Sequence, residues 1–130
     1  MSQSITVRFR EDAVPLVAAL STRTDPGVDV LLAFDDQGHL TMAIPLEPGT
    51  SLPAVVGLIA GIALPGEQLM LVSNRSGQDC ADQWDDELVW EEMVGTARAN
   101  DIVMLDWWVT VGTKAFSLAE FAPTPAAWVT

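Results

Sequence analysis

The chain has 130 residues, 49% of them hydrophobic, and this size and composition predict one domain with an apolar core and exclude a disordered chain. Eighteen acidic residues against six basic ones give a net charge of −12, so no nucleic acid partner is expected, because phosphate contacts need cationic side chains. A single cysteine cannot form an internal disulfide bond, and the first residues lack the pattern of a signal peptide, so we expect a cytoplasmic protein.

The first third of the chain predicts a strand, a helix and a hairpin. Apolar and polar residues alternate over residues 5–10, which predicts a short edge strand, and apolar residues at helical spacing predict a helix over residues 11–21. Residues 28–34 and 39–44 have the composition of strands, and the Asp- and Gly-containing turn between them predicts a hairpin. Pro45 and Pro48-Gly49 are expected to end the second strand.

The longest apolar run, residues 52–64, is too short to cross a bilayer, so no membrane partner is expected. Thr50 or Ser51 can cap the helix that this run predicts. Apolar residues surround this helix and indicate that it is buried on most sides. Gly57 and Gly61 lie about one turn apart and leave a flat strip for close approach by a neighbouring element.

A strand and a long helix follow. The strand begins at Gln68 as a buried apolar pattern and ends in small and polar residues, which is where α/β folds usually keep their functional side chains. The helix covers residues 84–100. Counting turns from Asp86 places its carboxylate on the same inward stripe as Trp90 and Met93, facing the core or the mouth of a site.

The last part of the chain predicts a second hairpin, formed by residues 101–111 and 114–118. Trp107 and Trp108 are adjacent on its first strand, so we expect them to point to opposite faces of the sheet. The prolines of residues 122–130 exclude a helix interior and predict an extended tail.

Several short segments, taken together, resemble a known family. In chain order they are Gly49-Thr50, Leu71-Val72-Ser73-Asn74-Arg75-Ser76-Gly77, Asp86, Leu105-Asp106-Trp107 and Lys114-Ala115-Phe116-Ser117. Their order resembles the RadC-like branch of the JAB/MPN metalloprotease superfamily, from about Glu11 to Phe121. In that family the strand ends in His-Asn-His-Pro-Ser-Gly, an Asp follows on the next helix, and a later segment reads Leu-Asp-His.

The resemblance implies an α/β fold in which a mixed β-sheet is flanked by helices, as in the JAB/MPN, RadC-like and cytidine-deaminase-like three-layer sandwich. Residues 1–121 would form this domain and residues 122–130 the extended tail. In the family, two His and one Asp hold zinc, and an upstream Glu deprotonates the water that completes the site.

The residues at the implied zinc site depart from the family pattern. Ser73 and Arg75 stand where the two His would be, and Gln83 replaces the Ser that precedes the ligand Asp. Serine is a weak zinc ligand, and a guanidinium has no lone pair to donate. Asp86 is the one ligand that remains, and Glu47 is the acidic residue nearest to the expected general base. The sequence therefore predicts a degenerate remnant with no catalytic residues, no bound metal and no cofactor.

The remnant suggests a specific ion pair. Arg75 follows the strand end and Asp86 heads the next helix, so in the implied fold the guanidinium could take the place of the cation and pair with the carboxylate. In the alternative interpretation, Arg75 extends into solvent and Asp86 only caps its helix.

Other candidates have simpler interpretations. His39 is the single histidine and follows a hairpin turn, which predicts a turn residue rather than a metal ligand. Cys80 lies between Asp79 and Asp82, whose negative charge raises a thiol pKa, so we expect an inert thiol. The acidic residues from Asp79 to Glu87 lack the spacing of a calcium loop and predict a solvated face.

Four of the five tryptophans are candidates for interface residues, namely Trp84, Trp107, Trp108 and Trp128. Burial in the core is the alternative for each of them. A tail that folds over its own domain or over a second copy would place Trp128 at a contact.

The prediction for function is a non-catalytic JAB/RadC-like domain that acts as a protein-interaction or scaffold module. Its partner would be a protein of unknown identity, and a homodimer is one form that it could take. The alternative is a zinc-dependent peptidase or isopeptidase with an atypical ligand set. A role in DNA repair, which the family name suggests, conflicts with the acidic charge.

Overall fold

The computed structural model describes residues 5–7, 10–23, 27–47, 50–63, 66–75, 83–111 and 114–118, with the backbone alone for residues 10, 23 and 83–86. These residues contain three helices and five strands. In chain order the elements are α1 (Arg10–Arg23), β1 (Asp29–Phe34), β2 (Leu40–Leu46), α2 (Leu52–Ile62), β3 (Gln68–Arg75), α3 (Gln83–Ala99), β4 (Val103–Val111) and β5 (Lys114–Ser117).

The five strands form one mixed sheet in the order β2-β1-β3-β4-β5. β1 is antiparallel to β2 and β3, and β5 is antiparallel to β4. β3 and β4 are parallel, and α3 supplies the crossover connection that a parallel pair requires. The predicted α/β fold with a mixed sheet and helices is confirmed, as are the two hairpins.

Helices cover both faces of this sheet. On one face α2 and α3 pack over β3 and β4, with Trp90 and Met93 of α3 among the fully buried side chains. On the other face α1 contributes Val17 to a second core that contains Leu32 and Met70. Because β3 and β4 are buried on both faces, their sequences are almost continuously apolar rather than alternating.

Of the predicted edge strand over residues 5–10, the described residues show only a minimal antiparallel pairing, in which the N–H of Val7 donates to Gly38 and the N–H of Leu40 donates to Ile5. Thr6 makes one isolated bridge to His39, and Arg10 already belongs to α1. Val7 is buried in the core beneath α1. The segment is too short to extend the sheet because the helix starts so soon after it.

Pro45 does not end β2, in contrast to the prediction. It pairs with Val30 at the second-to-last position of β2, which ends one residue later at Leu46. Pro48 and Gly49 lie outside the described residues. β2 lies at the edge of the sheet, where proline is tolerated because its missing N–H need not bond to a neighbouring strand.

One face of α2 is more exposed than its apolar sequence predicts. Leu58 is 69% and Ile62 is 74% exposed, although the inward face of the helix is buried. On another side, Gly57 allows the close approach of α3, since a Cβ built there would lie 3.4 Å from Thr96 Cγ2. The predicted burial on most sides is therefore wrong, because periodicity does not show how many elements cover a helix.

Candidate functional site

The strand ends bring the predicted remnant to one edge of the sheet. β3 and β4 run in parallel and end together, with Arg75 paired to Val111. β2 ends and β1 begins at the same edge, because Leu46, Asp29 and Ser73 lie in one row across the sheet. We call this end of the sheet, where β2, β3 and β4 finish, the carboxyl edge. It is the edge at which α/β sheets usually carry their sites.

Ser73 and Trp107 are joined by a buried hydrogen bond at the carboxyl edge. The indole Nε1–H of Trp107 donates to Ser73 Oγ over 2.8 Å, and the two residues are 1% and 0% exposed. Trp107 pairs with Leu71, two positions before Ser73 on β3, so both side chains point towards α2 and α3. A buried indole N–H needs an acceptor, and the hydroxyl of Ser73 provides it.

Arg75 packs against the same indole. Its Cζ atom lies 5.6 Å from the centroid of the Trp107 ring, within the range of a cation–π interaction. The side chain is half-buried at the last position of β3. A guanidinium keeps its charge at every accessible pH, so a permanent positive charge lies on this ring. We call Ser73, Trp107 and Arg75 the Trp107 cluster.

Asn74 lies on the opposite face of β3 and has a structural role. Thr110 Oγ1 donates to Asn74 Oδ1 over 3.1 Å, and Asn74 Nδ2 donates to the carbonyl of Ser21 over 3.4 Å. Its own carbonyl accepts from the N–H of Gly27 over 2.6 Å. These bonds tie the end of β3 to β4, to α1 and to the segment before β1.

A buried carboxylate lies further along β4. Asp106 is 0% exposed, and the hydroxyl of Ser117 on β5 lies 2.8 Å from each of its carboxylate oxygens. The backbone N–H of Trp107 also donates to Asp106 Oδ1 over 2.8 Å. Asp106 and Ser117 both belong to segments that carry the resemblance, but no role is predicted for either of them from the sequence. A lone acidic residue inside an apolar strand was the available signal, because a buried charge needs hydrogen-bond partners.

The remaining residues of the predicted remnant are described only in part. Gln83, Trp84 and Asp86 belong to the first turn of α3, but their side chains lie outside the described residues, as does Trp128. The ion pair between Arg75 and Asp86 therefore stays a prediction.

The adjacent tryptophans point to opposite faces of the sheet, as predicted. Trp107 belongs to the core on the α2 and α3 side, and Trp108 to the core on the α1 side. They are 1% and 5% exposed, so within this chain they are core residues with almost no surface for a partner.

His39 lies at the other end of the sheet from the carboxyl edge. Its ring Nδ1 is 3.1 Å from Asp35 Oδ2, and its backbone N–H donates to Asp35 Oδ1 over 2.9 Å. This backbone bond is the largest cause of the lowered pKa of Asp35. The histidine is an exposed residue of the β1–β2 turn, as the sequence predicted.

The part of the chain that the structure describes contains neither a group of metal ligands nor a membrane-spanning helix. Its His, Cys, Asp and Glu side chains form no group of three or more that could hold a metal ion. None of its helices is long and apolar enough to cross a membrane. Cys80, Asp79 and Asp82 lie outside the described residues.

No family model, curated protein or solved structure matches the chain. Any statement about function must therefore be argued from the residues and their geometry.

Proposed function

We propose that the chain is a RadC-like JAB domain, a three-layer sandwich whose metal site has degenerated, and that it acts as a protein-interaction or scaffold module in the cytoplasm. The order of elements from α1 onward supports this assignment, because a helix, a hairpin, a helix, a strand, a helix and a second hairpin follow one another as expected for the resembled family, although the strand expected before α1 is reduced to one bridge. Of the segments that carry the resemblance, the one that contains Ser73 and Arg75 ends at the carboxyl edge, and α3 has Asp86 in its first turn.

The Trp107 cluster is the observation that carries the non-catalytic part of the proposal. At the two positions of the family's histidines, the chain has a hydroxyl that already accepts an indole hydrogen bond and a guanidinium that lies over the same indole. A zinc ion needs ligand lone pairs and is repelled by a fixed cation. These groups do not fit a divalent metal, so the proposed function contains no metal-dependent step.

Arg75 has a further role in this proposal. Its charge takes the place of the metal's and pairs with Asp86, because a carboxylate in a partly dry pocket needs a compensating cation. The half-buried position of Arg75 and the start of α3 close behind it in the chain support this pairing.

A protein is the proposed class of partner. The net charge of −12 disfavours nucleic acid, whereas exposed apolar side chains such as Leu58 and Ile62 suit a protein contact. A homodimer would be one form of such an assembly.

Zinc titration by calorimetry tests the loss of metal chemistry. We expect no stoichiometric binding, and no cleavage of peptide or isopeptide substrates with or without added zinc. An active zinc peptidase of the superfamily, measured in the same buffers, controls for the sensitivity of both assays.

Tight binding of one zinc ion per chain, with cleavage that a chelator abolishes, would overturn the proposal. That outcome would favour a zinc-dependent peptidase or isopeptidase with an atypical ligand set.

A further inference from the structure

The outer face of α2 is an exposed apolar stripe. Ala54, Leu58, Gly61 and Ile62 follow one another at helical spacing and are all exposed, with Leu58 at 69% and Ile62 at 74%. The helix sequence LPAVVGLIAGI contains no charged side chain. Large apolar side chains that are exposed together usually mark an interaction site.

A groove continues this stripe towards the edge of the sheet. It has a volume of about 250 Å³ and is lined by Thr41, Met42, Ile59, Ile62, Ala63 and Glu67. Ile62 belongs to both the stripe and the groove, and Met42 on β2 is 39% exposed. We call the stripe and the groove together the α2 surface. It lies on a helix and an edge strand and contains no residue of the Trp107 cluster.

Acidic residues gather at the end of the α2 surface where the helix terminates. Glu67 lines the groove, and a Cβ built on Gly66 would lie 3.7 Å from Asp36 Cβ. The carbonyl of Asp101 accepts the N–H of Gly66 over 3.0 Å, which places the backbone of a third acidic residue near this end. The last turn of α2 contains no basic residue, so the negative end of its dipole adds to these charges.

We propose that the α2 surface binds a basic amphipathic helix of a partner protein, with apolar side chains on the stripe and Lys or Arg beside the acidic end. This inference rests on the proposed function, because it assigns the surface through which a binding module would act. From Ala54 to Ile62 the stripe spans about 12 Å at a rise of about 1.5 Å per residue, which suits about two turns of a docked helix.

Charge favours this partner over a second copy of the chain. A second copy would bring a further net charge of −12. Its own α2 carries no basic side chain to neutralise the acidic end. A basic segment supplies both the apolar contact and the opposite charge, and its attraction would weaken with salt.

The test uses the full chain and a labelled synthetic peptide of about 18 residues, or about five helical turns, with a leucine stripe flanked by lysines. Fluorescence anisotropy gives its Kd. We expect Leu58→Gln/Ile62→Gln to weaken binding by about tenfold or more, because buried anchors dominate such interfaces. Raising the salt from about 50 to about 300 mM should increase the Kd of the peptide for the intact chain. The same change in salt should increase the Kd for the Asp36→Asn/Glu67→Gln/Asp101→Asn variant by a smaller factor.

Matched controls separate the α2 surface from general stickiness. Leu88→Gln removes another exposed leucine, 60% exposed on α3, and should leave Kd within about twofold. Glu91→Gln/Glu92→Gln removes exposed acids of α3 and should leave the salt dependence unchanged. A peptide with glutamates in place of lysines should not bind. Because Leu58 and Ile62 are exposed, the double variant should keep its unfolding temperature.

Three results would overturn the inference: equal binding by the Leu58→Gln/Ile62→Gln variant, equal binding of the acidic peptide, or a homodimer of the intact chain that this double variant dissociates. A failure of this inference can be distinguished from a failure of the proposed function. Tight zinc binding with chelator-sensitive cleavage would reject the non-catalytic domain, whatever the peptide does.

Discussion

Trp107 uses two features of an indole at once. Its N–H bonds to the hydroxyl of Ser73, and its π face lies under the guanidinium of Arg75. The three side chains therefore depend on one another, so a change at one position should alter the effect of a change at the next. Double-mutant cycles measure this dependence as a coupling free energy.

The first prediction concerns the bond between Ser73 and Trp107. Ser73→Ala and Trp107→Phe should each lower the free energy of unfolding by about 1–3 kcal/mol, with a coupling of about 1 kcal/mol, because each removes one partner of a buried hydrogen bond. Urea denaturation measures both quantities. The destabilisation by Trp90→Phe, a change in the same core, should add to that by Ser73→Ala without coupling. If the destabilisation by Trp107→Phe also added to that by Ser73→Ala without coupling, the hydrogen bond would make no contribution to the free energy of unfolding.

The second prediction concerns Arg75 and Asp86. If the guanidinium replaces the cation, Arg75→Gln and Asp86→Asn should couple by about 1–3 kcal/mol in urea denaturation, because either change leaves a partly buried charge without its counterion. Arg75→Gln should show no coupling with Glu91→Gln, an exposed residue further along α3. Zero coupling with Asp86→Asn would favour an arginine that only packs on Trp107 and an aspartate that only caps its helix.

Among the elements, β4 has an irregularity at Asp106, and hydrogen bonds connect this residue to β5. The register of β3 and β4 shifts between Leu69 and Met70, where Asp106 becomes the partner of Met70. Its carboxylate then accepts from Ser117 on β5 and from the N–H of Trp107. Because Asp106 directly precedes Trp107, its hydrogen bonds connect the last hairpin to the strand position from which the Trp107 cluster is built.

The third prediction follows from this carboxylate. Asp106→Asn should lower the free energy of unfolding by about 2–4 kcal/mol and Ser117→Ala by about 1–3 kcal/mol, since both disturb a buried hydrogen-bonded charge. Asp101→Asn is the matched control, because this exposed residue has a φ of 60° that asparagine also tolerates. Thermal or urea unfolding measures all three. Equal effects of Asp106→Asn and Asp101→Asn would contradict the role of the buried carboxylate.

The fourth prediction concerns pH and the β1–β2 turn. Backbone N–H groups of His39 and Gln37 bond to Asp35 and lower its pKa below the ordinary value of 3.8, with the His39 bond as the largest cause. A lowered carboxyl pKa stabilises the fold above 3.8, and this stabilisation disappears as the pH falls through the folded-state pKa. Asp35→Ala should therefore lower Tm near neutral pH.

The pH dependence of that Tm difference is the measurement. Between wild type and Asp35→Ala it should shrink as the pH falls below 3.8, the ordinary carboxyl pKa. Asp36→Ala, the exposed neighbour, controls for general effects in the same turn. A difference that stays constant into the acid range would show that the hydrogen bonds of Asp35 do not favour its ionised form.

At the scale of the whole molecule, net charge decides which partners can approach. Eighteen acidic against six basic residues make the long-range field negative, which repels phosphate backbones and attracts cationic proteins. The fifth prediction is that labelled duplex DNA shows no binding at low salt, where electrostatic attraction would be strongest. Anisotropy measures this, with a basic DNA-binding protein as control. Salt-sensitive binding of the duplex would contradict the prediction.

Most of the elements follow from local patterns of residues. Residues 28–34 and 39–44 predict their hairpin through composition and turn residues, and the stripe of Trp90 and Met93 predicts the inward face of α3. Such patterns are local, because strand and helix periodicity repeat within a few residues. The positions of Ser73 and Arg75 at the end of a strand could be predicted for the same reason.

What those residues contact, and which surfaces stay uncovered, depends on how distant segments pack together. The bond from Trp107 to Ser73 joins two strands that are far apart in sequence, and its geometry depends on the register of β3 and β4. Likewise, the exposure of Leu58 and Ile62 depends on how many elements pack around α2. Register and coverage arise from contacts between distant segments, which a local pattern does not contain.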